Sequence, residues 1–165
     1  MDAGIKIVDN FLDPIDFRKV VERTKYPAAW TAQCSNPHLE DSSQEFLELN
    51  VSEEKFFNTT IFNQIKKHLK GEYKLNRVYF NGQWTGREGY MHDDNCDITA
   101  LLYVSDYEYG WGGFTEIMTS PKPTVIHPLL NRLVFFPGRT FHKGYSFAYQ
   151  RCPMRVSLAF KLNTK

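Results

Sequence analysis

The stretch RLVFFPGRTFH, residues 132–142, decides how we expect this chain to fold. Its apolar start is typical of a buried strand, and Pro137-Gly138 marks the turn that follows. His142 then begins another run, residues 142–147, which we interpret as a further strand. A histidine is therefore predicted to be held by rigid β-structure.

Runs of the same kind occupy most of the C-terminal half of the chain. They are rich in Val, Ile, Leu, Phe and Tyr, and turns containing Gly or Pro separate them, which is typical of antiparallel strands. Strong strand predictions lie at residues 74–81, 97–105, 114–119, 132–136 and 155–162, and weaker ones at 89–92, 124–126 and 142–147. About eight strands is the number in a double-sheet jelly roll with a cupin-like interior.

Helices are predicted before these strands. Asp13-Pro14 supplies an N-cap and a first-turn proline to one helix, and an apolar repeat at positions 61, 65 and 69 marks another, which Gly71 ends. Residues 27–43 are interpreted as a surface loop, and residues 47–51 alternate like a half-buried strand. We therefore expect a mainly β protein with flanking helices, a double-stranded β-helix whose N-terminal helices pack on one sheet.

Composition limits the classes of function. A chain of 165 residues with 42% hydrophobic side chains predicts a single domain, residues 1–165. Twenty basic and nineteen acidic side chains give a net charge of +1, without a long block of like charge, so we expect neither a nucleic-acid partner nor a membrane surface. Because no apolar run has the length of a signal peptide or a membrane span, a cytoplasmic protein is expected.

His92-Asp93-Asp94 and the later His142 form a candidate metal centre. Residues two apart on an extended segment project to the same side, so His92 and Asp94 can share an ion while Asp93 points away. Two imidazoles and one carboxylate are the ligand set of a mononuclear non-haem iron centre, and they leave three coordination positions open for a co-substrate and dioxygen. The same ligands would also bind Mn, Co, Ni or Zn.

If these side chains converge, hydrogen bonds to their free imidazole nitrogens must fix the tautomers. Asn95, Gln83 or a backbone carbonyl could accept those bonds, and all three alternatives stay open. The other histidines, His38, His68 and His127, are expected at the surface or behind the ligands.

A candidate anion-binding arginine begins the last predicted strand. Arg155 shares one face of that strand with Ser157 and Ala159, and a planar guanidinium can bind a carboxylate through two hydrogen bonds. The far end of a short dicarboxylate is therefore a natural ligand for Arg155. Arg151 is the alternative, although it precedes Cys152-Pro153 and is expected in a turn.

Several motifs together resemble a known family, and they span most of the chain. The chain resembles the 2-oxoglutarate- and Fe(II)-dependent dioxygenases, and within them the prolyl 4-hydroxylase-like group, including compact bacterial and phage members. The motifs are Ile-Val-Asp-Asn-Phe-Leu at residues 7–12, Arg77-Val-Tyr-Phe-Asn-Gly-Gln, His92-x-Asp94, Leu101-Leu-Tyr-Val, Trp111-Gly-Gly, Phe136-Pro-Gly with His142, and Arg155-Val-Ser-Leu-Ala-Phe.

The resemblance implies a set of roles. His92, Asp94 and His142 would hold Fe(II), with 2-oxoglutarate and O2 as co-substrates. Arg155 would pair with the C5 carboxylate of 2-oxoglutarate. Two further residues are implied in the pocket: Tyr103, whose hydroxyl would reach the same carboxylate, and Tyr79, which would line the pocket.

The resemblance also implies a reaction. Because halogenating members of the class lack the carboxylate that Asp94 retains, hydroxylation with release of succinate and CO2 is expected. Analogy points to a prolyl residue of a peptide or protein as substrate, with residues 83–89 and 105–112 as the mouth of the pocket. The alternatives are a nucleic-acid or small-molecule oxygenase of the same cofactor class, and a metal-binding jelly roll without turnover.

Overall fold

A computed structural model describes residues 4–25, 29–34 and 45–165. Strands are the main regular structure among these residues. The strands are β1 (Lys6–Val8), β2 (Thr31–Cys34), β3 (Glu45–Asn50), β4 (Tyr73–Gln83), β5 (Ile98–Tyr103), β6 (Thr115–Ile117), β7 (Thr124–Ile126), β8 (Leu133–Pro137), β9 (His142–Gly144) and β10 (Arg155–Thr164). The helices are α1 (Pro14–Arg23) and α2 (Phe62–Lys66), and a π-helical segment, Phe56–Ile61, leads directly into α2.

The strands form two antiparallel sheets. The larger sheet has the order β1-β8-β5-β10-β4-β3-β2, and the smaller one has the order β7-β6-β9. An apolar cluster joins them, in which Ile117 and Ile126 of the smaller sheet pack with Leu101 and Val134 of the larger. Two sheets that enclose an interior are the predicted jelly-roll architecture, so the expected fold class is confirmed.

The helices cover the other face of the larger sheet. Val20 of α1 and Ile65 of α2 are fully buried in a cluster with Phe80 and Phe160 of the central strands. Burial of this apolar surface is the main stabilising contribution in such a layer. The expected packing of the N-terminal helices on one sheet is therefore confirmed. None of the helices in the described ranges has the length and apolar character needed to cross a bilayer.

Strand β10 separates the helical layer from the interior. Side chains alternate along a strand, so consecutive residues of β10 serve different faces. The even-numbered residues pack in the core beneath the helices, whereas the odd-numbered ones line a cavity between the sheets. The first set is Val156, Leu158, Phe160 and Leu162, and the second is Arg155, Ser157, Ala159 and Lys161.

Some predicted boundaries were wrong. Residues 31–34 were expected in a loop but form strand β2, because their backbone pairs with β3 whatever their side chains are. The remaining predicted loop residues lie mostly outside the described residues, as does His38. Helix α2 stops at Lys66 rather than near Gly71, since the following amides of His68 and Leu69 bond three residues back in a tighter turn. Residues 89–92 contribute one isolated bridge, at His92, instead of a strand.

The start of α1 gives a test of the fold. Asp13 caps the helix, since its side chain accepts hydrogen bonds from the amides of Ile15 (2.8 Å) and Asp16 (3.0 Å). Asp13→Ala should lower the free energy of unfolding by about 1 kcal/mol, whereas Asp13→Ser should keep most of the cap. Urea denaturation of both variants measures this, and equal midpoints for the two would contradict the assigned cap.

Candidate metal centre and its cavity

Three side chains from two distant parts of the sequence meet beside the cavity. His92, Asp94 and His142 each offer one ligand atom, and these atoms lie within 4.8 Å of one another. The Nε2 atom of His142 is 3.3 Å from Oδ2 of Asp94, and Nε2 of His92 is 3.8 Å from Oδ1. Atoms bound about 2.1 Å from one ion lie roughly 3 Å apart, so small movements would bring all three to a single metal. Asp93 is exposed, as expected from the alternation.

Backbone hydrogen bonds hold the three residues together. The amide of His92 donates to the carbonyl of His142 (3.0 Å), and the amide of His142 donates to the carbonyl of His92 (2.7 Å). The amide of Asp94 donates to the carbonyl of Gly138 (2.7 Å). The segment that carries two candidate ligands is therefore attached to the turn and strand that carry the third.

Both imidazoles are oriented by carbonyls two residues earlier in the chain. Nδ1 of His92 lies 2.8 Å from the carbonyl oxygen of Tyr90, and Nδ1 of His142 lies 2.8 Å from that of Thr140. A carbonyl can only accept, so each Nδ1 carries the proton and each Nε2 keeps its lone pair for a ligand. Of the alternatives left open by the sequence, the backbone carbonyl is the one found. Gln83 instead contacts Arg155.

The charge state of these groups suits a metal ligand set. Burial lowers the pKa of the His92 imidazole, and the neighbouring His142 lowers it further. Burial alone would raise the pKa of Asp94, but the neighbouring His142 and the charge of Lys161 hold it well below its usual value. A neutral imidazole and an ionised carboxylate are the forms that bind metal ions.

A cavity of about 570 Å³ lies between the candidate ligands and the inner face of the larger sheet. His92 and His142 line it together with Tyr79, and so does the buried Arg155. Its lining also contains apolar side chains, Leu101 among them. A concave site with an apolar wall and a few convergent polar groups is typical of a ligand pocket.

Arg155 is held rigidly, yet no carboxylate in the described part of the chain forms an ion pair with it. Its guanidinium donates to the carbonyl of Gly113 (2.7 Å), to Oε1 of Gln83 (2.6 Å) and to Oγ1 of Thr115 (2.9 Å). Only 2% of the residue is exposed, and burial lowers the pKa of the guanidinium. Arg151, the alternative anion-binding residue, is exposed and lies near the ring of Tyr149.

The two predicted tyrosines occupy different places. Tyr79 lines the cavity, with the guanidinium of Arg77 4.2 Å from the centre of its ring. Tyr103 is buried behind Thr115, and its hydroxyl donates to the Thr115 hydroxyl at 2.7 Å. Thr115 is thus the hydroxyl that faces the cavity here, and Tyr103 supports it.

Sequence reasoning missed several cavity residues beside the predicted ones. Lys161 could have been found, because it continues the alternation that begins at Arg155. Others depend on strand register, which pairs Arg155 with Gln83 across β10 and β4. The missed residues include Gln83 in this role, Thr99, Thr115, Gly144 and Lys161.

Two stretches, residues 83–89 and 105–112, were expected to form the mouth of the pocket, and they differ in their relation to the cavity. Gln83 and Gly89 of the first stretch line the cavity. In the second, the ring of Tyr107 packs on Phe147 and its hydroxyl lies 3.1 Å from Nδ1 of His127. Tyr109 also contacts His127, and Trp111 also contacts Phe147, so the aromatic side chains of residues 105–112 pack against these two residues.

Comparison with known proteins identifies solved structures with a similar fold. No protein-family model matches the sequence, and no curated protein matches it. A prolyl hydroxylase from Trichoplax adhaerens, in complex with a hypoxia inducible factor peptide fragment, is 16% identical with a TM-score of 0.77 over 98% of this chain and 84% of that one. A prolyl-4-hydroxylase from Pseudomonas putida is 13% identical, with a TM-score of 0.74 over 97% and 93%.

A third solved structure matches to a similar extent. HygX from Streptomyces hygroscopicus, with nickel, 2-oxoglutarate and hygromycin B bound, is 8% identical with a TM-score of 0.74 over 99% of this chain and 84% of that one. The likeness inferred from the sequence motifs is confirmed in the architecture. The chain has the fold of the prolyl hydroxylases and of a protein that binds 2-oxoglutarate.

The metal centre can be tested without turnover. His142→Ala removes a candidate ligand, so it should weaken Co(II) binding by more than roughly 10–100-fold. A loss of that size is typical when the changed residue only hydrogen-bonds to a metal ligand. His127→Ala is the matched control, since His127 contacts Tyr107. Calorimetric titration of Co(II) measures both variants, and an unchanged affinity in His142→Ala would show that the metal binds elsewhere.

Proposed function

We propose that this protein is a 2-oxoglutarate- and Fe(II)-dependent dioxygenase that hydroxylates a C–H bond of its substrate and releases succinate and CO2. The observation that carries the proposal is a single cavity that contains two different binding elements. One is the candidate metal centre, whose His92 and His142 line the cavity, and the other is a buried arginine that forms no ion pair with a carboxylate of the described residues. A dianion with a metal-chelating end and a free carboxylate end fits both.

The residues present fit an iron ion. His92 and His142 would each supply a neutral Nε2, and Asp94 would supply one anionic oxygen, which is the facial set typical of non-haem Fe(II) oxygenases. When bound, Fe(II) would supply the redox chemistry by which dioxygen and 2-oxoglutarate are consumed. The protein contributes orientation, charge and exclusion of water.

Arg155 would bind the C5 carboxylate of 2-oxoglutarate. A guanidinium has five N–H groups, of which the hydrogen bonds to Gly113, Gln83 and Thr115 use one each on Nε, Nη1 and Nη2. The Tyr103 hydroxyl also interacts with the guanidinium. Gly144 lies next to these nitrogens, and a Cβ atom there would be 3.3 Å from Nη1 and 3.5 Å from Nη2. The missing side chain therefore leaves space for a bidentate carboxylate.

A second donor would complete this subsite. The Thr115 hydroxyl accepts hydrogen bonds from Tyr103 and from Arg155, which uses both lone pairs of its oxygen. Its own hydrogen is left to donate to a carboxylate oxygen. In this arrangement Tyr103 acts through Thr115, and Tyr79 lines the route between Arg155 and the metal ligands.

A buried cation without an anion is costly, and this supports the proposal further. Transfer of a charge into a protein interior costs several kcal/mol unless a partner is present. Lys161 in the same cavity is paired with Asp94, whereas Arg155 contacts neutral acceptors. A bound carboxylate would supply a direct counterion to Arg155, which among the described residues forms no ion pair and interacts with only one carboxylate, the more distant Glu88.

The proposed substrate is a prolyl residue of a peptide or protein. Two of the matched structures are prolyl hydroxylases, and one of them contains a peptide fragment. The hygromycin B in HygX supports a small-molecule substrate as the second candidate. A nucleic-acid substrate is disfavoured by the net charge of +1.

Succinate formation tests the reaction. The iron-loaded protein incubated with 2-oxoglutarate should form succinate, and His92→Ala should abolish it because a candidate ligand is lost. Mass spectrometry of proline peptides and of aminoglycosides would then detect the gain of one oxygen atom. Full succinate formation in His92→Ala would refute the assigned centre, and metal binding without any succinate would favour a jelly roll without turnover.

The co-substrate site has its own test. Arg155→Ala should weaken 2-oxoglutarate binding to the Co(II)-loaded protein by about tenfold to a few hundredfold, because a charge-assisted bidentate contact contributes roughly 1.5–3 kcal/mol. Arg151→Ala is the control and should bind normally. Titration calorimetry, with thermal melting to verify folding, gives both affinities. A larger effect of Arg151→Ala would reverse the choice between the two arginines.

A further inference from the structure

Lys161 is a buried cation that contacts the candidate metal ligand Asp94. Its Nζ atom donates to Oδ2 of Asp94, and 12% of its side chain is exposed. The hydroxyl of Thr99 donates to the same oxygen at 2.5 Å. Among the described residues, no hydrogen-bond donor is assigned to the other oxygen, Oδ1, which faces Nε2 of His92 at 3.8 Å. The two oxygens of one carboxylate therefore have different surroundings.

The sheet itself brings the two donors to Oδ2. Lys161 on β10 is the direct cross-strand partner of Thr99 on β5, so their side chains project from the same face side by side. Arg77 is the partner of Lys161 on the other side, but it pairs with Glu48 instead. The ring of Tyr79, 5.6 Å from the ammonium, closes the remaining side. The two neighbouring strands and the Tyr79 ring therefore leave the Lys161 ammonium directed at Asp94.

We infer that Lys161 is a positioning residue that keeps Asp94 a one-oxygen ligand. This inference rests on the proposed function. Oδ2 also lies 3.3 Å from Nε2 of His142, but its hydrogen bonds with Lys161 and Thr99 use its lone pairs. Oδ1 is therefore the oxygen offered to the ion, together with Nε2 of His92 and of His142. A carboxylate can otherwise bind a metal ion through both oxygens.

The consequence concerns the number of open coordination positions. A six-coordinate ion with three protein donor atoms keeps three positions, which a two-oxygen chelate and dioxygen together require. If Asp94 bound through both oxygens, two positions would remain, and the co-substrate would compete with its own protein ligand. Lys161 therefore protects the position that 2-oxoglutarate needs.

The contrast between the two cavity cations supports this division of roles. Arg155 has hydrogen bonds to neutral groups, which suits the binding of an incoming anion. Lys161 already has an anion, and that anion is a candidate metal ligand. One strand, β10, would thus hold the far end of the co-substrate with one residue and preserve the metal position for its near end with another.

The test compares Lys161→Met with Lys161→Arg and with a matched control. Methionine has a similar length but neither charge nor donor, whereas arginine keeps both. Lys165→Met is the control, because Lys165 lies just past β10 in an exposed pair with Glu72. Each Co(II)-loaded variant is examined by its visible d–d absorption spectrum and by its affinity for 2-oxoglutarate.

Lys161→Met should change the Co(II) spectrum and weaken 2-oxoglutarate binding at least about tenfold, the effect typical of lost support behind a metal ligand. Lys161→Arg should shift both readouts back towards those of the unchanged protein, and Lys165→Met should match it. An unchanged spectrum and an unchanged 2-oxoglutarate affinity in Lys161→Met would overturn the inference.

A second variant covers the case in which Lys161→Met fails to fold, since it leaves Asp94 without its cation. Thr99→Val removes the other donor to Oδ2 without altering charge, and should shift the Co(II) spectrum in the same direction by a smaller amount. A spectrum identical to that of the unchanged protein would then count against the inference. If the unchanged Co(II) protein does not bind 2-oxoglutarate, the proposed function fails, and the spectra alone decide the role of Lys161.

Discussion

The reciprocal backbone hydrogen bonds between His92 and His142 are the constraint on which the candidate site depends. They join a segment that follows one long strand to the start of a strand in the other sheet. Because backbone groups make these bonds, the main chains of the two histidines are held side by side, and the side-chain rotamers then set where the imidazoles lie. The same pairing places the carbonyls of Tyr90 and Thr140 where each can accept the Nδ1 proton. The pairing of these two segments therefore accounts both for the closeness of the two histidines and for the tautomer of each imidazole.

Charge in the cavity is arranged in two unequal parts. The Asp94–Lys161 pair is complete, so it fixes the candidate metal ligand and adds no net charge. Arg155 is rigid, buried and without a carboxylate partner among the described residues, so it adds a full positive charge to an enclosed space. In the proposed function, a metal ion at one place and this guanidinium at the other would make the cavity selective for a dianion. The fold alone, which is shared by proteins of low identity, would not give that selectivity.

One strand connects stability with function. The even-numbered residues of β10 pack beneath the helices, so their burial stabilises the larger sheet. The odd-numbered ones present Arg155 and Lys161 to the cavity from the same rigid backbone. A loop would present such side chains with more freedom, and ordering them on binding would cost entropy. The central position of β10 between β4 and β5 removes that cost in advance.

The sequence by itself determined the fold class, the helix start at Asp13 and most of the strand pattern. It also selected His92, Asp94, His142, Arg155 and Tyr79, which lie at the cavity or beside it. Alternation and turn residues are local signals, and they can be recognised without knowing what lies across the sheet. Only the tertiary structure decided which residues are neighbours. It assigned backbone carbonyls to the imidazoles, Gln83 to Arg155 and Lys161 with Thr99 to Asp94, and it formed β2 where a loop was predicted. Those outcomes depend on strand register and on hydrogen bonds between distant segments, which no local pattern encodes.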